Sequence, residues 1–273
     1  MSILKLGVAY AVREEVGFEA LVEAPLEKVL DMLTELGFSG IELNIANPMK
    51  FDVKRYRKAI EDRGLQVPVI STGLSYLTYG YSLTHSDNEM RRRSIEFFTK
   101  YAEIAHEFGC DRVVIGLARG RGDSPQALDM LRDSIAKILE ATEGLGTILL
   151  LEPLNRYETK LINKVSQFVE FVKSMGCPKR IRMLFDTFHM ALEERDPYTA
   201  LIQSRDYLGY VHLADSNRLA PGMGMIDWLK IIAILKAIGY NYFVTVEAIP
   251  HPSFEDMIRV ASATLRPIIE MLG

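Results

Sequence analysis

The chain has 273 residues, 48% hydrophobic, 25% charged and 9% aromatic, which excludes a disordered or low-complexity chain. Its 32 Lys and Arg against 36 Asp and Glu leave a net charge of −4, so no nucleic-acid-binding face is expected. Two cysteines, Cys110 and Cys177, are too few for a disulfide scaffold and suit a reducing compartment.

The N-terminus runs into Arg13-Glu14-Glu15 without a signal-peptide core, and no run of about 18 apolar residues follows. A cytoplasmic protein with no membrane contact is therefore expected. One unit then repeats: a short apolar run, a polar loop, an amphipathic stretch and a Gly. The first strand is expected from Leu4 to Tyr10, and the first helix opens at Pro25 and buries Leu26, Val29, Leu30, Leu33 and Leu36. Gly40-Ile41-Glu42-Leu43 is the second strand, with a helix from about Asp52 to Arg63, and Gln66 to Ser71 is the third. The connection from Gly73 to Asp87 is expected as one long loop, with Tyr76, Tyr79 and Tyr81 either lidding a pocket or packing on the rim. A long helix from about Asn88 to Phe108 precedes the strand Arg112 to Ile115 and a helix opened by Ser124-Pro125. Further strands are expected at Thr147–Leu151, Ile181–Phe185, Gly209–Leu213 and Phe243–Val246, each followed by a helical stretch. The last of these helices covers about Phe254 to Met271. Eight βα units over residues 1–273 without a composition break predict a single-domain α/β fold, the closed (β/α)8 TIM barrel. An open doubly wound sheet would need a Gly-rich turn after the first strand, and there is none.

In such barrels the site lies at the C-terminal ends of the strands. Strands five to eight end in Leu150-Leu151-Glu152, Leu184-Phe185-Asp186, Tyr210-Val211-His212 and Thr245-Val246-Glu247. Period-two alternation aims Glu152, Asp186, His212 and Glu247 inward, into one layer of the mouth. Three carboxylates crowded there would repel one another without a cation. Three oxygen donors and one imidazole suit Mn²⁺, with Mg²⁺ or Co²⁺ as alternatives, better than a structural zinc. Beyond strand four, Leu117-Ala118-Arg119-Gly120-Arg121-Gly122-Asp123 sets glycines beside two guanidiniums. Arg119, with Arg121 second, is expected to hold an anionic end of the substrate, which would favour a keto-sugar acid or a ketose phosphate.

The segments Glu152-Pro153-Leu154-Asn155-Arg156-Tyr157-Glu158, Phe185-Asp186-Thr187-Phe188-His189, His212-Leu213-Ala214-Asp215-Ser216-Asn217-Arg218 with Pro221-Gly222-Met223-Gly224, and Val246-Glu247 fall in order along the chain. Together they resemble the D-tagatose 3-epimerase (ketose 3-epimerase) family of the xylose-isomerase-like group, over essentially the whole length. The resemblance implies that Glu152, Asp186, His212 and Glu247 bind the metal and that Glu158, His189 and Arg218 hold oxygens near the reacting carbonyl. It also implies C3 epimerisation of a ketose through an enediolate, with Glu152 and Glu247 as the acid/base pair. A homodimer or homotetramer is implied as well. An aldose–ketose or hydroxypyruvate-type isomerase needs the same metal and carboxylates and stays open as the alternative. A metal-dependent DNA-repair endonuclease on this barrel would need more histidines than the five present. A non-catalytic sugar-binding protein would not need the intact quartet.

Overall fold

Eight strands pair in parallel in chain order: β1 (Lys5–Val12), β2 (Gly40–Ile45), β3 (Ile70–Ser71), β4 (Arg112–Ile115), β5 (Ile148–Leu151), β6 (Ile181–Asp186), β7 (Leu208–Leu213) and β8 (Phe243–Val246). β8 pairs back onto β1, so the sheet closes into the expected barrel. The computed structural model describes residues 4–12 and 20–273, and the run at Arg13, Glu14 and Glu15 lies outside them. β3 is shorter than expected. Pro68 has no N–H to give a neighbouring strand, and Gln66 is left with one isolated bridge to Gly40.

Side-chain parity sorts the core into two layers. Val69, Val114, Leu150, Leu184, Tyr210 and Phe243 pack together inside the barrel. Their neighbours Leu149, Leu151, Met183, Phe185, Val211 and Leu213 pack outward with the helices. That outer layer is built from α1 (Leu26–Glu35), α2 (Val53–Glu61), α4 (Asn88–Glu107), α5 (Ala127–Ala141), α6 (Val165–Ser174), α8 (Pro197–Gln203), α9 (Trp228–Ala237) and α10 (Phe254–Leu272). Pro25 is the N-cap of α1 rather than its first residue, and α5 begins at Ala127, after a turn at Ser124 and Pro125. Trp228 opens α9, buried, as a helix on the core requires.

Two short helices go beyond the sequence expectation. α3 (Gly73–Tyr79) occupies the first half of the connection read as a loop, and Asn44 Oδ1 of β2 accepts its Leu74 N–H at 3.1 Å. Tyr79 and Tyr81 stack at 5.5 Å and meet Phe97 of α4 edge-on at 6.0 and 5.0 Å, so these rings pack the rim. α7 (Thr187–Glu193) starts directly at the end of β6, capped by Asp186. The arginine run on α4 is solvated as expected: Arg92 and Arg93 pair with Glu89 on the exposed face. Cys110 is buried, donating to Pro68 O, whereas Cys177 is exposed and does not pack the core. Among the described residues no helix is long and apolar enough to cross a membrane.

Candidate active site

The inward parity of β5–β8 carries through to their ends. Glu152 N–H still donates to Ile115 O, Asp186 faces His212 in register, and Glu247 N–H donates to Leu213 O. Glu152, Asp186, His212 and Glu247 are all buried, and each offers a ligand atom within 4.8 Å of the other three. His212 Nδ1 stands 3.5 Å from Glu247 Oε2, 3.8 Å from Glu152 Oε1 and 3.9 Å from Asp186 Oδ2. Glu152 Oε1 and His212 Nδ1 are buried with no hydrogen-bond partner among the described residues. A buried orphan of this kind costs about 1–3 kcal/mol, more for a charged group, so two pointing at one gap need an explanation. A divalent cation supplies one, and the donor set fits it.

The electrostatics carry the same strain. Burial pushes Asp186 up to about 8, and the nearby Glu152 carboxylate adds to it. Burial also raises Glu152. Glu247 is held below its ordinary value: burial opposes this, but the His212 and Arg218 cations outweigh it. Burial by itself would lower His212, yet the carboxylates of Glu42 and Glu247 hold it well above its usual range.

A second layer orients these groups. Glu42 of β2 is fully buried; one oxygen accepts from Ser71 Oγ and the other lies 2.9 Å from His212 Nε2. With Nε2 engaged there, Nδ1 is the nitrogen turned to the quartet. Asp186 Oδ1 accepts the Phe188 and His189 N–H groups at 2.7 and 3.0 Å, leaving Oδ2 toward the gap. Gly116 lets the chain close on Glu152, because a Cβ there would stand 2.9 Å from Oε2. We expect Glu42→Gln to weaken Mn²⁺ binding by about 10–100-fold in calorimetric titration, the usual effect of losing an outer carboxylate. Unchanged affinity would make Glu42 a packing residue only.

A cavity opens over three of the four quartet residues, Glu152, His212 and Glu247, and Glu158, His189 and Arg218 line it with them. Arg218 Nη1 donates to Glu158 Oε1 at 3.0 Å, Nη2 is 3.7 Å from Glu247 Oε2, and the guanidinium lies 4.8 Å over the Phe188 ring. Its backbone is left-handed, at φ 61°, a conformation that costs a non-glycine residue about 1–2 kcal/mol. Burial, then the Arg218 and His212 charges, push His189 well below its ordinary value. The loop that bears Arg218 is held by Asp215, which accepts from the N–H groups of Ser216, Gly222 and Ile226 and from Trp228 Nε1. Asp215→Ala strands four donors, so a stability loss of about 2–4 kcal/mol is expected in urea unfolding. A loss under about 0.5 kcal/mol would show that water replaces the carboxylate there.

The structure corrects the expectation for Arg119. Its side chain is fully buried, and burial lowers its pKa to about 10. The guanidinium donates to the carbonyls of Ile115, Gly116, Leu161 and Ile162 at 3.1–3.4 Å. It is a strut joining the end of β4 to the loop after β5, with all three of its nitrogens bonded to backbone carbonyls and the side chain closed off from solvent. Asp123 pairs with Lys160 at 2.8 Å, and Arg121 is exposed over a separate groove.

Residues 30–268 match the xylose isomerase-like TIM barrel family. The chain belongs to that family. It is 31% identical over 223 residues to the L-ribulose 3-epimerase of Mesorhizobium japonicum, covering 80% of this chain and 73% of that one. It is 28% identical over 226 residues to the 3-dehydro-D-guloside 4-epimerase of Escherichia coli, covering 79% and 84%. A solved L-ribulose 3-epimerase superposes with a TM-score of 0.84 at 25% identity, over 99% of this chain and 96% of the other.

In this xylose isomerase-like barrel the fold places the four residues of the quartet together, with Glu158, His189 and Arg218 beside them. Glu42, Asn44 and Ser71 on the first half of the barrel, and Asn155, were not read from the sequence. A signal for the first two was present. Glu42 and Asn44 share the inward parity of β2 in Gly40-Ile41-Glu42-Leu43-Asn44, as Glu152 and Leu150 do in β5. Asn155 carried none, because its role depends on His189, 34 residues away.

Proposed function

We propose that this protein is a divalent-metal-dependent ketose epimerase that inverts the carbon next to the carbonyl. The observation that carries this reading is the pair Glu152 and Glu247. Both line the cavity, and they come from strand ends three places apart around the barrel, so they approach a bound sugar from different sides. Asp186 is unsuited to the same work, since one of its oxygens is committed to capping α7.

Glu152, Asp186, His212 and Glu247 would hold the cation, Mn²⁺ by donor type with Mg²⁺ or Co²⁺ as alternatives, which supplies Lewis-acid polarisation of the substrate carbonyl. One of Glu152 and Glu247 takes the proton from C3 on one face, and the other returns a proton to the opposite face. Arg218 and His189 donate hydrogen bonds to substrate oxygens, and the positive charge of Arg218 favours the enediolate over the ketose. Glu158, held by Arg218 and Asn155, accepts from a sugar hydroxyl. With Arg119 committed to backbone carbonyls, a neutral ketose is favoured over a keto-sugar acid or ketose phosphate. The family resemblance supports a homodimer or homotetramer, and two cysteines alone suit a cytoplasmic location.

Incubation of the Mn²⁺-loaded protein in D₂O with L-ribulose, other neutral ketoses and a 3-keto glycoside tests the reading. The C3 epimer of a free ketose, carrying deuterium at C3, is the expected product. An aldose product would replace the epimerase reading with isomerase, and inversion at C4 of the glycoside alone would align the protein with its E. coli relative. Sugar binding without turnover would leave a binding protein.

A further inference from the structure

Asn155 is buried in the loop after β5, and its Oδ1 accepts the Tyr157 backbone N–H at 2.9 Å. A backbone N–H can only donate, so the carboxamide has one orientation and its NH₂ faces the other way. The two hydrogens of Nδ2 then reach Glu158 Oε1 and His189 Nδ1, both at 2.9 Å. An NH₂ group can only donate, so His189 Nδ1 has to present its lone pair. The single ring proton is therefore on Nε2, the nitrogen 3.7 Å from Glu152 Oε1. An imidazolium or an Nδ1–H tautomer would set two N–H groups against each other across 2.9 Å.

We propose that Asn155 is a positioning residue that locks His189 in the Nε2–H tautomer, so that His189 serves the cavity as a hydrogen-bond donor and not as a base. In the reaction proposed above, on which only the rate arm of the test rests, this leaves proton removal to Glu152 and Glu247. The His189 N–H is kept for the substrate oxygen that gains charge. The same carboxamide holds Glu158, which in turn holds Arg218, so one side chain sets the orientation of three groups facing the sugar.

Histidine labelled with ¹⁵N in the ring, in Mg²⁺-exchanged protein free of sugar, reads the tautomer in long-range ¹H–¹⁵N correlation spectra. His189 is assigned by loss of its signals in His189→Gln. The wild type is expected to show His189 with an unprotonated Nδ1 and a protonated Nε2. Asn155→Asp, which sets a carboxylate oxygen against Nδ1, is expected to draw the proton onto Nδ1. Asn155→Ala, which removes the donor without adding an acceptor, should give a signal averaged over both tautomers. At matched metal content, kcat of Asn155→Asp for the ketose should fall by about 100-fold, the scale of one lost oxyanion donor, with KM moving less. A wild-type signal with Nδ1 protonated, or an Asn155→Ala signal with the proton still confined to Nε2, overturns the proposal. These spectra need no turnover, so their failure is distinct from a failure of the epimerase reading.

Discussion

Glu152→Gln and Glu247→Gln should each slow epimerisation by about 100-fold or more, the scale of a lost general acid or base. The amide keeps the shape of the carboxyl but can neither take up nor deliver a proton. Because each residue is also a ligand, metal content has to be matched before rates are compared. The two-sided arrangement then predicts a sharper signature than a rate. Each variant retains the carboxylate on one face, so it should still exchange the C3 proton of one epimer with D₂O while forming little of the other. Glu152→Gln and Glu247→Gln should label opposite epimers. If both metal-loaded variants keep more than a tenth of wild-type activity, these carboxylates are ligands only, and the proton carriers lie elsewhere.

Removal of the metal should abolish activity and also lower stability. Three buried carboxylates offer oxygens within 4.8 Å of one another and of His212, and Glu152 Oε1 has no partner of its own. A cation present at about 100 times its Kd stabilises the folded state by about 2.7 kcal/mol. In a domain of this size that corresponds to roughly 5–10 °C in Tm. Chelation followed by gel filtration should therefore lower Tm by about that much, and Mn²⁺ or Co²⁺ should restore both Tm and turnover. Full activity in protein verified metal-free by elemental analysis would remove the cation from the reaction. An unchanged Tm would mean that protons, not a metal, neutralise the quartet.

The barrel and its metal-type quartet were legible in the sequence because both rest on local regularities. A strand alternates faces every residue, so Leu150 inside and Leu151 outside place Glu152 inside, whatever the rest of the chain does. The same step takes Leu184 to Asp186, Tyr210 to His212 and Thr245 to Glu247. Asp186 also accepts the Phe188 and His189 N–H groups at the start of α7, but a helix of seven residues is too short to show a period, and it was not read from the sequence. What the tertiary structure decided depends on partners far apart in the chain. Arg119 stands among glycines in a loop, a setting suited to an anion site, but its four carbonyl partners include Leu161 and Ile162, more than 40 residues on. Burial made it a strut. α3 is too short to show a helical period and forms where Asn44, 30 residues earlier, holds its first turn. His212 is turned to the quartet by Glu42, 170 residues before it, because closing the barrel brings β2 within reach of β7 across the lumen. Alternation specifies which way a side chain points; only the closed barrel and its loops specify what it meets there.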